Sequence, residues 1–141
     1  MVSWFPSTIS LRMSKFQPYV QSITRVVVSF PFVLHGTVKL LGLFGGLDGH
    51  GAAGQFPTMI WWAGALETVL GTLFAVGLFT RAVAFVLCGE MAFAYFFVHA
   101  RQGFWPIQNG GELAVLYCFV FLFYTVAGPG AWSLDRLRGA K

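Results

Sequence analysis

Charge is scarce in this sequence. Its 141 residues include 9 Lys or Arg and 5 Asp or Glu, together 10%, where a soluble domain carries about 25%. That deficit excludes a soluble enzyme domain, and the 57% apolar share excludes a disordered chain. Cysteine is sparser still. Cys88 and Cys118 have neither C-x-x-C spacing nor a nearby His, so they indicate no disulfide scaffold, no zinc site and no redox pair. Both are expected to be small core-filling residues. Alternating segments of the kind that build a transmembrane β-barrel are missing too.

Long apolar runs are what the sequence does have. Mean hydropathy is +0.71, and 57% apolar is roughly 80 residues, enough for about four spans of about 20. The runs lie at Gln21–Leu41, Thr58–Phe79, Ala82–Ala100 and Leu113–Ala127, the last stopped by Gly128-Pro129-Gly130. At about 1.5 Å per residue the first two reach roughly 31 to 33 Å, enough for a bilayer core of about 30 Å. The fourth falls short unless Glu112 or the segment through Trp132 belongs to the interface. Arg12 and Lys15 precede the first run as in a signal peptide. No small-x-small cleavage site follows, so a retained first helix is expected.

Charge placement supports four spans. Arg12, Lys15, Arg25, Arg81, Arg136, Arg138 and Lys141 then share one side, and only Lys39 and Arg101 lie near the other. The positive-inside rule therefore predicts an all-α membrane protein, a four-transmembrane-helix bundle with both termini cytoplasmic. The net charge of +4 is a topology signal, and no nucleic-acid partner is implied. Trp61, Trp62 and Trp105 fall at the predicted outer boundary and Trp132 at the inner one. Residues 1–19 form a cytoplasmic segment that lies on the inner surface or is loose, residues 20–136 the four-helix membrane domain, and 137–141 a basic cytoplasmic tail.

Gly49-His50-Gly51-Ala52-Ala53-Gly54 matches the dinucleotide fingerprint G-x-G-x-x-G letter for letter. That fingerprint works between a strand and a helix, where backbone amides hold a pyrophosphate. Here a membrane helix precedes it, so the match is compositional.

The informative residues are ionisable groups inside the spans, each costing about 2.5 to 3.5 kcal/mol at a helix centre. His35 and Lys39 lie four apart on one face of the first helix. Depth places Glu67, Glu90 and His35 near the midplane and Lys39, His99 and Glu112 nearer the outer surface. Lys39 with Glu112 and His35 with Glu67 are the preferred pairs. The intramembrane polar site is thus His35, Lys39, Glu67 and Glu112, with Glu90 and His99 as lesser candidates. Glu90 and His99, nine positions apart, fall on opposite helix faces, which puts one of them outside the cluster. Arg25 is expected to snorkel to the inner surface. Gly64, Thr68, Gly71 and Ala75 form a small-residue stripe, suited to the bundle interior or to a dimer.

Several of these residues carry a resemblance. His35-Gly36-Thr37-Val38-Lys39-Leu40, Gly64-Ala65-Leu66-Glu67 with Gly71, Gly77-Leu78-Phe79-Thr80-Arg81, Asn109-Gly110-Gly111-Glu112 and Gly128-Pro129-Gly130 before Ser133-Leu134-Asp135 resemble, in order, the motifs of the DoxX family. The resemblance covers about residues 20 to 136. It implies a multi-pass four-helix bundle of the bacterial inner membrane, with His35, Lys39, Glu67 and Glu112 at the family's recurring polar positions. The family is named for a subunit associated with sulfur oxidation and quinone, and relatives are linked to thiol redox balance and oxidative stress.

The expectation is therefore a membrane subunit of quinone- or sulfur/thiol-linked redox chemistry. An apolar pocket would take a quinone, His35, Lys39 or Glu112 bonding its oxygens and Glu67 or His35 moving protons. No covalently bound cofactor, no metal site and no haem, flavin or iron–sulfur ligand set is visible, so electrons would come from a redox partner protein or a substrate thiol. The alternative is a non-catalytic membrane anchor or assembly partner, alone or as a homo-oligomer, whose polar residues are internal clamps. A solute path is a third reading, for which four short helices are too few to make a wide channel.

Overall fold

The computed structural model describes residues 13–139, and these are all-helical, with no strand among them. Four long helices carry the fold: α1 (Gln17–Leu41), α2 (Met59–Val76), α3 (Thr80–Ala94) and α4 (Glu112–Ala127). A π-helical turn, Tyr95–His99, and a 3-10 turn, Ala100–Gln102, prolong α3, so that Thr80–Gln102 is one apolar segment of 23 residues. It, α1 and α2 are long and apolar enough to cross a membrane; α4 is a shorter apolar helix. Of the predicted N-terminal segment, residues 1–12 lie outside the described part, and Gln17–Tyr19 already belong to α1, with Pro18 in its first turn.

Burial is inverted relative to a water-soluble bundle. Arg25, Ser22, Ser29 and Glu67 are buried, while Phe30, Phe85, Phe119 and Val126 face outward. An apolar solvent favours that arrangement, since a polar group turned into lipid would find no partner. The core joins Phe32 of α1, Phe74 of α2, Leu87 of α3 and Phe121 of α4, with Phe121 edge-on to both Phe32 and Phe74.

The helices pack mainly as two pairs, α1 with α2 and α3 with α4. The small-residue stripe serves the first pair. A Cβ on Gly64 would lie 2.8 Å from the Leu40 amide nitrogen and from Lys39 Cβ, and one on Gly36 2.6 Å from the Thr68 amide nitrogen. Gly64→Ala is therefore expected to force α1 and α2 apart, costing about 1–3 kcal/mol. A Cβ on Gly89 of α3 meets nothing within 4 Å, so Gly89→Ala is expected to be neutral or stabilising by up to about 1 kcal/mol. Parallel melts of the two variants check this; equal losses would refute the close approach at Gly64.

Arg25 does not snorkel. It is 1% exposed, and its guanidinium donates to the carbonyls of Phe74 and Ala75 at 2.5 Å, Trp132 at 2.5 Å and Pro129 at 3.0 Å. Phe74 and Ala75 belong to the last turn of α2, where helical carbonyls lack intrahelical partners. Desolvation inside lipid-facing helices makes a planar five-donor group more useful there than a headgroup contact. Arg81 likewise donates to the Thr125 and Val126 carbonyls near the end of α4.

At the same end, Asp135 accepts from the amides of Phe79 (2.7 Å) and Thr80 (2.8 Å) where α3 begins. Burial raises its carboxyl, but these amide hydrogen bonds and the nearby Arg138 outweigh it and hold Asp135 below the ordinary carboxylate value. The stability it contributes is thus fully present above the unfolded value of about 3.9 and lost as pH falls through the lower native one. Asp135→Ala is expected to cost about 1–2 kcal/mol at neutral pH. Unfolding titrations of both proteins across acid pH should show that gap closing only below about pH 4; a gap unchanged there would contradict the capping role.

The glycine-rich segment after α1 is a closed turn, with no dinucleotide fold around it. Asp48 accepts from the amides of His50 and Ala52 at 2.8 and 3.0 Å. Gly42 takes φ 68°, and a Cβ there would fall 2.1 Å from the Gly51 carbonyl oxygen. Compaction of the loop requires those glycines. Phe56, Trp61 and Trp62 cluster edge-to-face beside it, and Trp132 packs on Tyr19 at the opposite end.

Candidate functional site

Lys39 occupies the last turn of α1, where the helix dipole favours a cation. Gly36 and Gly64 bring α2 close enough for Lys39 Nζ to reach Glu67 Oε1 at 2.5 Å. The ammonium side chain is 30% exposed and the carboxylate 3%. Lys39 therefore meets Glu67, not Glu112, and its place in the pair is the one expected for His35. Glu112 opens α4 and is exposed; the dipole favours an acid at that position.

The pair stands between two cavities. One, of about 280 Å³, is lined by Phe32, His35, Lys39, Glu67, His99 and Tyr117 among others. The second, of about 310 Å³, adds Glu90 and Met59 while sharing Lys39, Glu67 and His99. His35, Lys39, Glu67, Glu90 and His99 therefore converge, and Glu112 of the expected set does not line either space.

Glu90 and His99 were expected on opposite faces, and the π-helical turn overturns that. The Ala100 amide donates to the Tyr95 carbonyl, five residues back. One inserted residue changes the phase of everything after it by about 100°, so both side chains reach one cavity. His99 Nδ1 lies 3.0 Å from the Asn109 carbonyl oxygen. A carbonyl only accepts, so Nδ1 carries the proton and Nε2 is left to the cavity side of the chemistry. Asn109 is held in turn by the Gly103 carbonyl and the Gly111 amide.

Three buried carboxylate oxygens have no hydrogen-bond partner here: Glu67 Oε2 and both oxygens of Glu90. Each such orphan costs about 1–3 kcal/mol, and native proteins keep them where a water, an ion or a ligand supplies the donor. Around the pair, the first cavity thus offers an ammonium with N–H groups to spare, Tyr117, an imidazole and Glu67 Oε2, walled by Phe32 and Met91, and the second adds the two Glu90 oxygens. No group of three His, Cys, Asp or Glu side chains with metal-holding geometry occurs among the described residues. Glu90, a lesser candidate in the sequence, lines the second cavity, and Tyr117, which no sequence pattern singles out, lines the first; the irregular turn that re-aims α3 has no sequence signature.

Residues 20–100 match the family model described as DoxX. An uncharacterized protein of Haemophilus influenzae is 46% identical over 128 residues, covering 88% of this chain and 94% of that one. An uncharacterized membrane protein of Mycobacterium tuberculosis is 35% identical over 85 residues, 52% of this chain and 51% of its own. No solved structure matches. The family match contains His35, Lys39, Glu67, Glu90 and His99 and stops before α4.

Proposed function

The chain belongs to the DoxX family, and on that premise we propose that it is an inner-membrane subunit of quinone- or sulfur/thiol-linked redox chemistry whose ring-binding chamber surrounds the Lys39–Glu67 pair. The observation that carries this reading is one ammonium flanked by two cavities that hold three partnerless buried carboxyl oxygens, Glu67 Oε2 beside both and the two of Glu90 in the second. A quinone accepts hydrogen bonds when oxidised and donates them when reduced, so it needs both kinds of partner.

The residues fit both forms. Lys39 uses one of its N–H groups on Glu67 and has others for a ring oxygen, with the Tyr117 hydroxyl as a second donor. Glu67 Oε2, and Glu90 in the adjoining cavity, would accept hydrogen bonds from the hydroxyls of the reduced ring. His99, its Nδ1 fixed on Asn109, offers Nε2 for the same task. Phe32 and Met91 exclude water. A bound quinone would supply the two-electron chemistry, with electrons arriving from a partner protein or a substrate thiol.

In this reading the protein crosses the membrane four times with both termini in the cytoplasm. Arg25, Arg81 and Asp135 gather at one end of the bundle with Trp132, which supports that orientation under the positive-inside rule. At 16 residues α4 spans about 24 Å, and Glu112 and Trp132 extend it into the interfaces.

Quinone binding is checked by tryptophan-quenching titration in nanodiscs. Lys39→Ala is expected to weaken binding about tenfold, the loss of one charge-assisted hydrogen bond, with unchanged circular dichroism. Unaltered affinity would overturn the reading. The rival, a non-catalytic anchor, draws on the same short ion pair as an internal clamp; it predicts no bound quinone at all.

A further inference from the structure

We infer that Cys88 and Cys118 form a redox-active dithiol, closed to an intramolecular disulfide by a lipid-phase quinone that approaches through an apolar recess beside Cys118. Both were expected to be small core-filling residues, and both do pack against the core. In addition, Cys88 of α3 and Cys118 of α4, 30 positions apart, place their sulfurs 3.7 Å from each other across the α3–α4 pair. A disulfide of about 2.05 Å then needs each sulfur to move about 0.8 Å. Both residues are half-buried and free.

The recess names the oxidant. It holds about 310 Å³ and is lined by Cys118 with Tyr95, Phe96, Phe104, Trp105 and Phe119. A flat hydrophobic ring fits such walls, whereas a charged disulfide or a hydrophilic peroxide finds nothing there to bind. None of the residues lining this recess lines either cavity around Lys39, so the dithiol is a second site, tested separately from the one at Lys39 and Glu67. The reaction balances: two S–H bonds break, one S–S bond forms, and two electrons with two protons pass to the two ring oxygens, giving the quinol.

The test uses the full chain in nanodiscs with decylubiquinone, whose fully substituted ring cannot add thiols. After incubation, the intact mass is expected to fall by two hydrogens, maleimide labelling under denaturing conditions to vanish from both cysteines, and one quinol to appear per chain. Cys88→Ala and Cys118→Ala should each keep the remaining thiol labelled and form no quinol. The proposal is overturned if the folded wild-type chain keeps both thiols, if the disulfide links separate chains, or if diamide closes it and the quinone does not. The wild-type result decides even where a variant does not fold.

Discussion

Arg25→Met is expected to destabilise the protein by about 4 kcal/mol. Four hydrogen bonds at the average membrane value of about 0.6 kcal/mol would give only about 2.4. The donor here is a charge, however, and its removal strands buried carbonyls, which raises each contribution. Arg25 also ties three separate places together: the end of α2, Pro129 after α4, and Trp132. An ammonium cannot fork to all of them, so Arg25→Lys should recover less than half of the loss. Reversible unfolding in mixed micelles measures both. A loss under about 1 kcal/mol for Arg25→Met would mean that the guanidinium merely occupies space.

The second large effect is an asymmetry within the ion pair. Lys39→Met leaves a carboxylate that is 3% exposed without its counter-charge, and breaking a buried pair this way costs about 3–5 kcal/mol. Glu67→Leu leaves an ammonium that is 30% exposed on a flexible stem that can turn away, and should cost about 1 kcal/mol. The double variant removes both charges at once and should return to within about 1 kcal/mol of wild type. The coupling of about 3–5 kcal/mol between the two sites that these values imply, read from the same unfolding measurement, is the signature of a contact inside the bundle. Additive losses would place the two side chains apart in solution.

These two predictions differ in how far they were legible in the sequence. Runs of apolar residues locate α1, α2 and the Thr80–Gln102 segment because lipid selects on composition and length alone. Lys39 and Glu67 stand out for the same reason, as charges where charges are costly. Pairing is another matter. Which acid Lys39 meets depends on helix rotation and on the contact at Gly36 and Gly64, and the glycine stripe reads equally well as a dimer surface. Glu90 joins the chamber only through the irregular turn at Tyr95–His99, a backbone event that periodicity assumes away. Arg25 misleads in the opposite sense: its distance along α1 fits snorkelling, and the carbonyls that hold it lie 49 to 107 positions away. Cys88 and Cys118 are likewise remote in the chain and meet only once α3 packs on α4.

The chamber around Lys39 and Glu67 as a quinone site is tested most directly by native mass spectrometry of gently extracted protein, comparing wild type with the Lys39→Met/Glu67→Leu double variant. The double variant is expected to keep the fold while deleting the polar pair, and the unfolding measurement above checks this, so that lost binding is separated from unfolding. Wild-type protein carrying a quinone mass that the double variant lacks is the predicted result. Equal quinone on both, or none on either, would contradict it.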